Sequence, residues 1–189
     1  DYFEPEQPVI VEGAALDWPA LSKWDRAYLQ ERFAGEPSVK HVGLFLTMGG
    51  DVIAEDVIYP PFVENINHPS QIFPYSSNTR VWMNTRGNVS AWHFDNGLVN
   101  NFNTQIVGRK EWTLISPQTP CDCYPFTNFV VMQDEEKLLQ NKVFTRFITE
   151  PGDMLYLPPL WFHTVRALSH DNINVMWVFT KRKTKVSSP

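Results

Sequence analysis

Short runs in which apolar and polar residues alternate recur through the second half of the 189-residue chain. Alternation with a period of two is typical of strands that bury one face. It predicts strands over residues 89–95, 101–107, 111–115, 145–150, 153–157, 164–168 and 173–180. Glycine, proline and asparagine lie between these runs and favour turns. Many short strands at regular spacing indicate a β-sandwich or a β-barrel.

The first 78 residues have a more mixed pattern. Apolar residues at helical spacing predict a helix over residues 22–33, with Ser22 as its N-terminal cap and its end near Gly35. A second short helix is predicted over residues 133–141, inside the β-rich half. Further strands are predicted over residues 8–13, 39–47, 52–59 and 78–84. We therefore expect an α/β lead-in followed by a β core.

Length and composition restrict the class of protein. We expect a single domain over residues 1–189, in which residues 1–78 form the lead-in and residues 79–181 form the core. The net charge of −5 disfavours a nucleic-acid partner without excluding one, because a broad phosphate-binding face needs excess positive charge. The apolar runs are shorter than the ~18 residues of a membrane span, so we expect no membrane association.

The two cysteines, Cys121 and Cys123, are separated by a single residue. A disulfide across that separation would be strained, and two thiolates alone do not complete a zinc site. We interpret them as free thiols, which fits a reducing compartment. The sequence has no signal-peptide pattern, and we expect an intracellular location, either cytoplasmic or nuclear.

Three residues carry the chemistry that the pattern favours most. His93 and Asp95 are two positions apart on a predicted strand, so both side chains point to the same face. On their own they would be interpreted as a buried ion pair. His163 precedes another predicted strand, and a barrel can bring it beside them. Two imidazoles and one carboxylate leave metal positions open, an arrangement typical of non-haem Fe(II) sites.

Several segments together resemble a known family. They are residues 87–95 (GNVSAWHFD), 101–110 (NFNTQIVGRK) and 151–163 (PGDMLYLPPLWFH), preceded by residues 8–14 (PVIVEGA) and 17–21 (DWPAL). In this order they resemble the JmjC, or cupin-type, oxygenases that depend on Fe(II) and 2-oxoglutarate. The resemblance extends from about Pro5 to Lys181, which is nearly the whole chain.

The resemblance implies a mainly β fold, the double-stranded β-helix, which is also called a jelly-roll or cupin barrel. It implies that His93, Asp95 and His163 bind Fe(II). It also implies that Lys110 binds the distal carboxylate of the co-substrate 2-oxoglutarate, because a buried lysine requires an anion.

Other residues are assigned to the same pocket by the resemblance. Ser90 matches a hydroxyl that hydrogen-bonds the co-substrate. Asn101 matches a polar residue lining the pocket, and Asn103 is the alternative if the register differs by one pair. Trp82, with Arg80 and Asn84, shares one face of a strand and would form another wall, although a core position is equally compatible with Trp82.

Two features depart from the family pattern. The segment between Asp95 and Lys110 is about two residues longer than in similar sequences. The last predicted strand has Val178 where relatives often have asparagine, and whether Asn174 replaces it is left open by the sequence. These departures concern the details of the pocket rather than the metal ligands.

The implied reaction is the decarboxylation of 2-oxoglutarate by O₂, coupled to hydroxylation, with release of succinate and CO₂. We expect the substrate to be a protein or peptide side chain, bound across the barrel mouth by the lead-in and by residues 121–141. The alternatives are an RNA hydroxylase acting on a tRNA base and an N-methyl-lysine demethylase. A non-enzymatic alternative is a cupin that binds metal without turnover. The oligomeric state is left open by the sequence.

Overall fold

A computed structural model of the chain describes residues 5–35, 40–42, 45–47, 53, 55–58, 79–95, 99–119, 129–130, 139–140 and 143–179. The helices are α1 (Ala20–Lys23) and α2 (Arg26–Phe33). The strands are β1 (Val9–Val11), β2 (Lys40–Val42), β3 (Phe45–Thr47), β4 (Thr79–Thr85), β5 (Trp92–His93), β6 (Asn100–Val107), β7 (Lys110–Ile115), β8 (Phe129–Val130), β9 (Phe144–Thr149), β10 (Met154–Leu157), β11 (Phe162–Ala167) and β12 (Asp171–Phe179). In this part of the chain, none of the helices has the length and apolar character needed to cross a membrane.

The strands form two sheets. The first has the order β1-β10-β6-β12-β4-β3-β2, and the second has the order β8-β5-β11-β7-β9. All the strand pairs are antiparallel. Strands β4, β6, β10 and β12 belong to the first sheet, whereas β5, β7, β9 and β11 belong to the second, so the chain crosses repeatedly between the sheets. This is the mainly β, cupin-like architecture that was predicted.

The helical part of the lead-in, with Trp18 before it, packs on the outer face of the first sheet. Trp18 lies against Trp177 of β12 with ring centroids 6.2 Å apart, and Phe102 of β6 stacks on Trp177 at 5.4 Å. Leu29 and Phe33 of α2 belong to the same buried cluster. Burial of each such side chain contributes about 1.5–3 kcal/mol. The opposite face of the first sheet is therefore the one that faces the second sheet.

The predicted helix over residues 22–33 is wrong in its start and its cap. The structure has two helices separated at Trp24, and Ser22 lies in the first, where its hydroxyl donates to the carbonyl of Pro19 at 3.1 Å. Asp25 caps α2 instead, accepting a hydrogen bond from the backbone N–H of Tyr28 at 2.7 Å. An aspartate in extended conformation is a strong N-cap, and it fixes the start of α2.

Two predicted strands of the lead-in are also wrong. Residues 39–47 were expected to form one strand, but β2 and β3 pair with each other as an antiparallel hairpin. The described part of residues 52–59 is a turn, because the N–H groups of Asp56 and Val57 both donate to the carbonyl of Ile53. Local alternation does not distinguish a strand from a hairpin arm or an apolar turn.

The strand predicted over residues 89–95 is shorter than expected. Only β5 and an isolated bridge between Val89 and Arg166 are formed. The backbone N–H of Val165 donates to the Ser90 hydroxyl at 2.8 Å, so a side chain replaces part of the regular ladder. The predicted strands of the remaining core are confirmed to within two residues at each end. The helix predicted over residues 133–141 and the cysteines lie outside the described residues, apart from residues 139 and 140.

Candidate metal and co-substrate site

A cavity of about 500 Å³ is lined by residues of both sheets. The first sheet contributes side chains from β4, β6 and β12, and the second contributes side chains from β5, β7 and β11. The structure brings all the predicted site residues together in its walls: Trp82, Ser90, His93, Asp95, Asn101, Asn103, Lys110 and His163. Cavities of this size are typical of small-molecule sites.

The three predicted metal ligands converge at one point of this cavity. His93 of β5 and His163 of β11 are paired across the strands, and their rings are 4.2 Å apart. Asp95 follows His93 by two residues, and one ligand atom from each of the three lies within 4.8 Å of the others. The two strands therefore position the two imidazoles, and the segment that follows β5 brings the Asp95 carboxylate beside them.

Hydrogen bonds fix how each histidine presents its ring. Nδ1 of His93 contacts the carbonyl of Ala91 at 2.7 Å, and Nδ1 of His163 contacts the carbonyl of Trp161 at 2.9 Å. Because a carbonyl oxygen can only accept, each Nδ1 carries the proton and donates. Each Nε2 is then left with a lone pair for a metal. This ligand set fits Fe(II).

Burial keeps the inner histidine in its metal-binding form. His163 is 3% exposed, and this desolvation, with the neighbouring His93, lowers its pKa to about 4. A neutral imidazole is the form that binds metals. His163 is therefore uncharged at neutral pH.

Lys110, at the start of β7, is buried beside neutral partners. Its Nζ donates to Oδ1 of Asn84 at 2.7 Å and to Oδ1 of Asn174. Its side chain is 5% exposed, and burial lowers its pKa to about 7. Neither of these two partners carries a charge, so within the described part of the chain a bound carboxylate would supply the anion that this ammonium requires.

The lysine also fixes the orientation of the amides around it. An ammonium can only donate, so Asn174 presents its oxygen to Lys110 and its Nδ2 faces Asn103. That Nδ2 donates to Oδ1 of Asn103 at 2.8 Å. Asn103 is consequently left with its own amide N–H groups as donors at the cavity wall. Donors are what a bound carboxylate requires.

The remaining predicted residues also line the cavity. The Ser90 hydroxyl is in the wall, although it also accepts the N–H of Val165. Trp82 lines the cavity and its Nε1 donates to Sδ of Met176 at 2.9 Å, so it is a wall residue. Asn174 lines the cavity too, and it lies two residues before Met176 on β12, so both side chains point to the same face.

Sequence reasoning missed Met176 and Trp112, which also line the cavity. A signal for each was present. Met176 alternates with Asn174 along β12, and Trp112 alternates with Lys110 along β7. Both were treated as ordinary apolar strand positions, because alternation alone does not show which face lines a cavity.

Comparison with known proteins establishes the family. The family described as Cupin-like domain matches residues 54–185, so the chain belongs to this family, in its JmjC branch. Lysine-specific demethylase 8 of Xenopus tropicalis is 29% identical over 211 residues, which cover 88% of this chain and 47% of that protein. tRNA wybutosine-synthesizing protein 5 of Danio rerio is 31% identical over 134 residues, covering 66% of this chain and 38% of that protein.

A solved structure has the same fold. The Escherichia coli ribosomal oxygenase YcfD superposes with a TM-score of 0.60 at 18% identity, covering 98% of this chain and 52% of that one. The chain spans about half the length of the curated relatives it matches. The JmjC family consists of oxygenases that generally use Fe(II) and 2-oxoglutarate.

Proposed function

We propose that this chain is an Fe(II)- and 2-oxoglutarate-dependent dioxygenase that hydroxylates a protein side chain. The observation that carries the proposal is one cavity holding both halves of the required chemistry. His93, Asp95 and His163 offer three metal ligands, and Lys110 offers a buried cation that has no anionic partner among the described residues. A cupin that binds metal without turnover has no need of the second feature.

Each part of the cavity has a distinct task in this proposal. His93, Asp95 and His163 would hold Fe(II), which together with 2-oxoglutarate supplies the oxidation of a C–H bond by O₂. Lys110 would bind the distal carboxylate of 2-oxoglutarate, and Asn103 and Ser90 would add hydrogen bonds. The protein's contribution is to orient these groups and to exclude water from the buried end of the cavity.

We propose a protein side chain as the substrate because most evidence from relatives points to protein. The relatives named as lysine- and arginine-specific demethylases support it. The net charge of −5 also favours it over RNA. RNA is the principal rival, because two similar proteins are named for tRNA wybutosine synthesis. The single-domain organisation and the intracellular location stay predictions.

Turnover of 2-oxoglutarate in the absence of the substrate to be hydroxylated distinguishes an enzyme from a cupin that only binds metal. The protein should form succinate slowly from 2-oxoglutarate when Fe(II) and O₂ are supplied, and the His163→Ala variant should not. Equal succinate formation by the variant, or none by either protein, would contradict the proposed activity.

The substrate class needs a second experiment. Protein and RNA fractions from a cell lysate should be incubated separately with the enzyme, and oxygen incorporation should be measured by mass spectrometry. We expect a hydroxylated protein whose binding changes little with salt, whereas phosphate contacts would make binding fall steeply with ionic strength. Formaldehyde release would indicate demethylation instead, and modification of RNA alone would overturn the choice of protein.

A further inference from the structure

Met176 places a thioether sulfur in the cavity wall, close to the metal ligands. Its side chain is 4% exposed and lines the cavity from the inner face of β12. Nδ2 of Asn101 lies 2.9 Å from Oδ2 of Asp95 and 3.9 Å from Sδ of Met176. The sulfur is therefore no farther from the Asp95 carboxylate than these two contacts placed end to end.

The hydrogen bonds of this sulfur engage it only in part. A thioether sulfur has two lone pairs and is a weak acceptor. Nε1 of Trp82 donates to Sδ at 2.9 Å and engages one lone pair. The contact from Asn101 is long, at 3.9 Å, and the same nitrogen makes its shorter bond to Asp95. The second lone pair is therefore weakly held, and it can react with an oxidant formed in the cavity.

The position of Met176 distinguishes it from the other methionines that the structure describes. Met154 is buried in the hydrophobic cluster that includes the lead-in helices, and Met83 packs against that cluster. Met83 follows Trp82 on β4, so its side chain points to the opposite face of the strand. Among the described residues, Met176 is the one methionine that lines the cavity.

We propose that Met176 is an internal oxygen acceptor, converted to methionine sulfoxide when 2-oxoglutarate is consumed with no substrate to hydroxylate, and that the sulfoxide then slows turnover. One atom of O₂ forms the S–O bond. The other atom enters the new carboxylate of succinate, as the C1–C2 bond of 2-oxoglutarate breaks and CO₂ leaves. The sulfur and 2-oxoglutarate each give up two electrons, which together reduce O₂, and no proton is transferred. This inference rests on the proposed function, since that reaction supplies the oxidant.

The cavity wall can hold the oxidised side chain. A sulfoxide oxygen is a better acceptor than a thioether sulfur, and N–H groups of Trp82 and Asn101 already point to this position. Oxidation converts an apolar side chain into a polar one. It also adds an atom to the wall beside Asp95, where a substrate has to approach the metal. This is the physical reason for the expected slowing.

Mass spectrometry measures the modification directly. The full chain should turn over 2-oxoglutarate with Fe(II) and ¹⁸O₂ and then be cleaved with trypsin, which places Met83, Met154 and Met176 in separate peptides. We expect at least about tenfold more ¹⁸O in Met176 than in the other two, because a group held at the reacting centre reacts far faster than one that meets an oxidant in solution. The label should require 2-oxoglutarate and should persist when catalase removes hydrogen peroxide.

A pair of variants tests the effect on turnover. Met176→Leu removes the sulfur with little change in volume, and Met83→Leu is the matched control on the opposite face of the neighbouring strand. Succinate formation by Met176→Leu should decline more slowly with time than that of the wild type, each relative to its own initial rate. Met83→Leu should decline as the wild type does. An equal decline in all three proteins would overturn the proposed slowing by the sulfoxide.

Proximity to the metal can be tested without turnover. Protein containing ¹³C-methyl methionine should be titrated anaerobically with Co(II) and followed by NMR, with Zn(II) as the diamagnetic reference. The Met176 signal, assigned by its loss in Met176→Leu, should show a larger paramagnetic shift than the signals of Met83 and Met154. The reason is that this shift falls steeply with distance from the ion.

The outcomes are distinguishable from failure of the proposed function. If the wild type binds no Co(II) or forms no succinate, the proposed function and this inference both fail. If it does both, but Met176 takes up no ¹⁸O or its methyl signal does not shift, only the inference fails. Label spread equally over the three methionines, or lost in the presence of catalase, would indicate a diffusible oxidant and would also overturn it.

Discussion

Lys110 should bind 2-oxoglutarate only in its protonated form, and this makes the affinity depend on pH. Burial lowers the pKa of Lys110 to about 7 in the free protein. A bound carboxylate stabilises the ammonium and raises that pKa again. Above pH 7, binding must therefore be accompanied by uptake of a proton. Below pH 7 the lysine is already charged, and the affinity should be nearly constant.

The magnitude follows from this pKa. Well above pH 7 the apparent dissociation constant should rise by about tenfold per pH unit. Because about half of the lysine is already uncharged at pH 7, the total weakening between pH 7 and pH 9 is roughly 50-fold. At pH 7, Lys110→Met should weaken binding by about ten- to a hundredfold, since a hydrogen bond to a charged group contributes about 1.5–3 kcal/mol. The curves of wild type and Lys110→Met should approach each other as the pH rises.

Isothermal titration calorimetry measures both quantities. Experiments at pH 8.5 in buffers of different ionisation enthalpy should show uptake of about one proton by the wild type and almost none by Lys110→Met. Lys110→Arg is the matched control, because a guanidinium stays charged over this range. It should bind with partial affinity and without the pH dependence.

The same pKa has a consequence for the free protein. The pKa is lowered on folding, so the unfolded chain binds more protons between pH 7 and the ordinary lysine value of 10.5. The contribution of Lys110 to the free energy of unfolding should therefore rise with pH across this window and be lost as pH falls through 7.

The calorimetric experiments can refute the assignment of the proton to Lys110. Absence of proton uptake in the wild type, or unchanged pH dependence in Lys110→Arg, would do so.

Three further predictions follow from the described geometry. His93→Ala and Asp95→Ala should each abolish divalent metal binding and turnover while keeping the far-ultraviolet circular dichroism, and retained metal stoichiometry in both would remove the site assignment. Gly108→Ala should lower the free energy of unfolding by roughly 3 kcal/mol or more, because its Cβ would lie 2.1 Å from a backbone carbonyl in a residue with φ of +72°. Gly87→Ala, with φ of +87° and no neighbour within 4 Å, should cost only about 1–2 kcal/mol, and equal urea midpoints for the two would contradict this. Ser90→Ala should cost about 1–3 kcal/mol of stability because a partly buried backbone N–H of β11 loses its acceptor, yet weaken 2-oxoglutarate binding less than Lys110→Met does. A larger loss of co-substrate affinity in Ser90→Ala would reverse that order.

The errors in the lead-in have a common physical cause. Trp24 fits the apolar spacing of one long helix, but its Nε1 donates at 2.9 Å to Asp56, a buried residue distant in the sequence. Tyr28 and Lys23 donate to the same carboxylate, at 2.8 and 2.7 Å. This contact accompanies the break between the two helices and the turn that contains Asp56. A partner so far along the chain is invisible to a local pattern.

The sequence alone was sufficient for the elements whose signals are local. The core strands follow from alternation. The shared direction of His93 and Asp95 was predicted from their spacing, and the two side chains do converge, although β5 ends at His93. The order of the motifs indicated the family, and His163 was placed with these two residues on that basis. All these predictions depend on the residue types and the separations, which the sequence contains.

Only the tertiary structure decided what each alternating residue faces. On β6 the first seven residues are buried, because one face packs on the lead-in and the other lines the cavity. Phe102 and Asn103 are therefore both interior, although a pattern of apolar and polar residues would normally place the asparagine in solvent. Which asparagine presents donors was likewise decided by contacts across strands, since Lys110 orients Asn174 and Asn174 orients Asn103. Hydrogen-bond direction is a property of the assembled partners, and no single strand contains it.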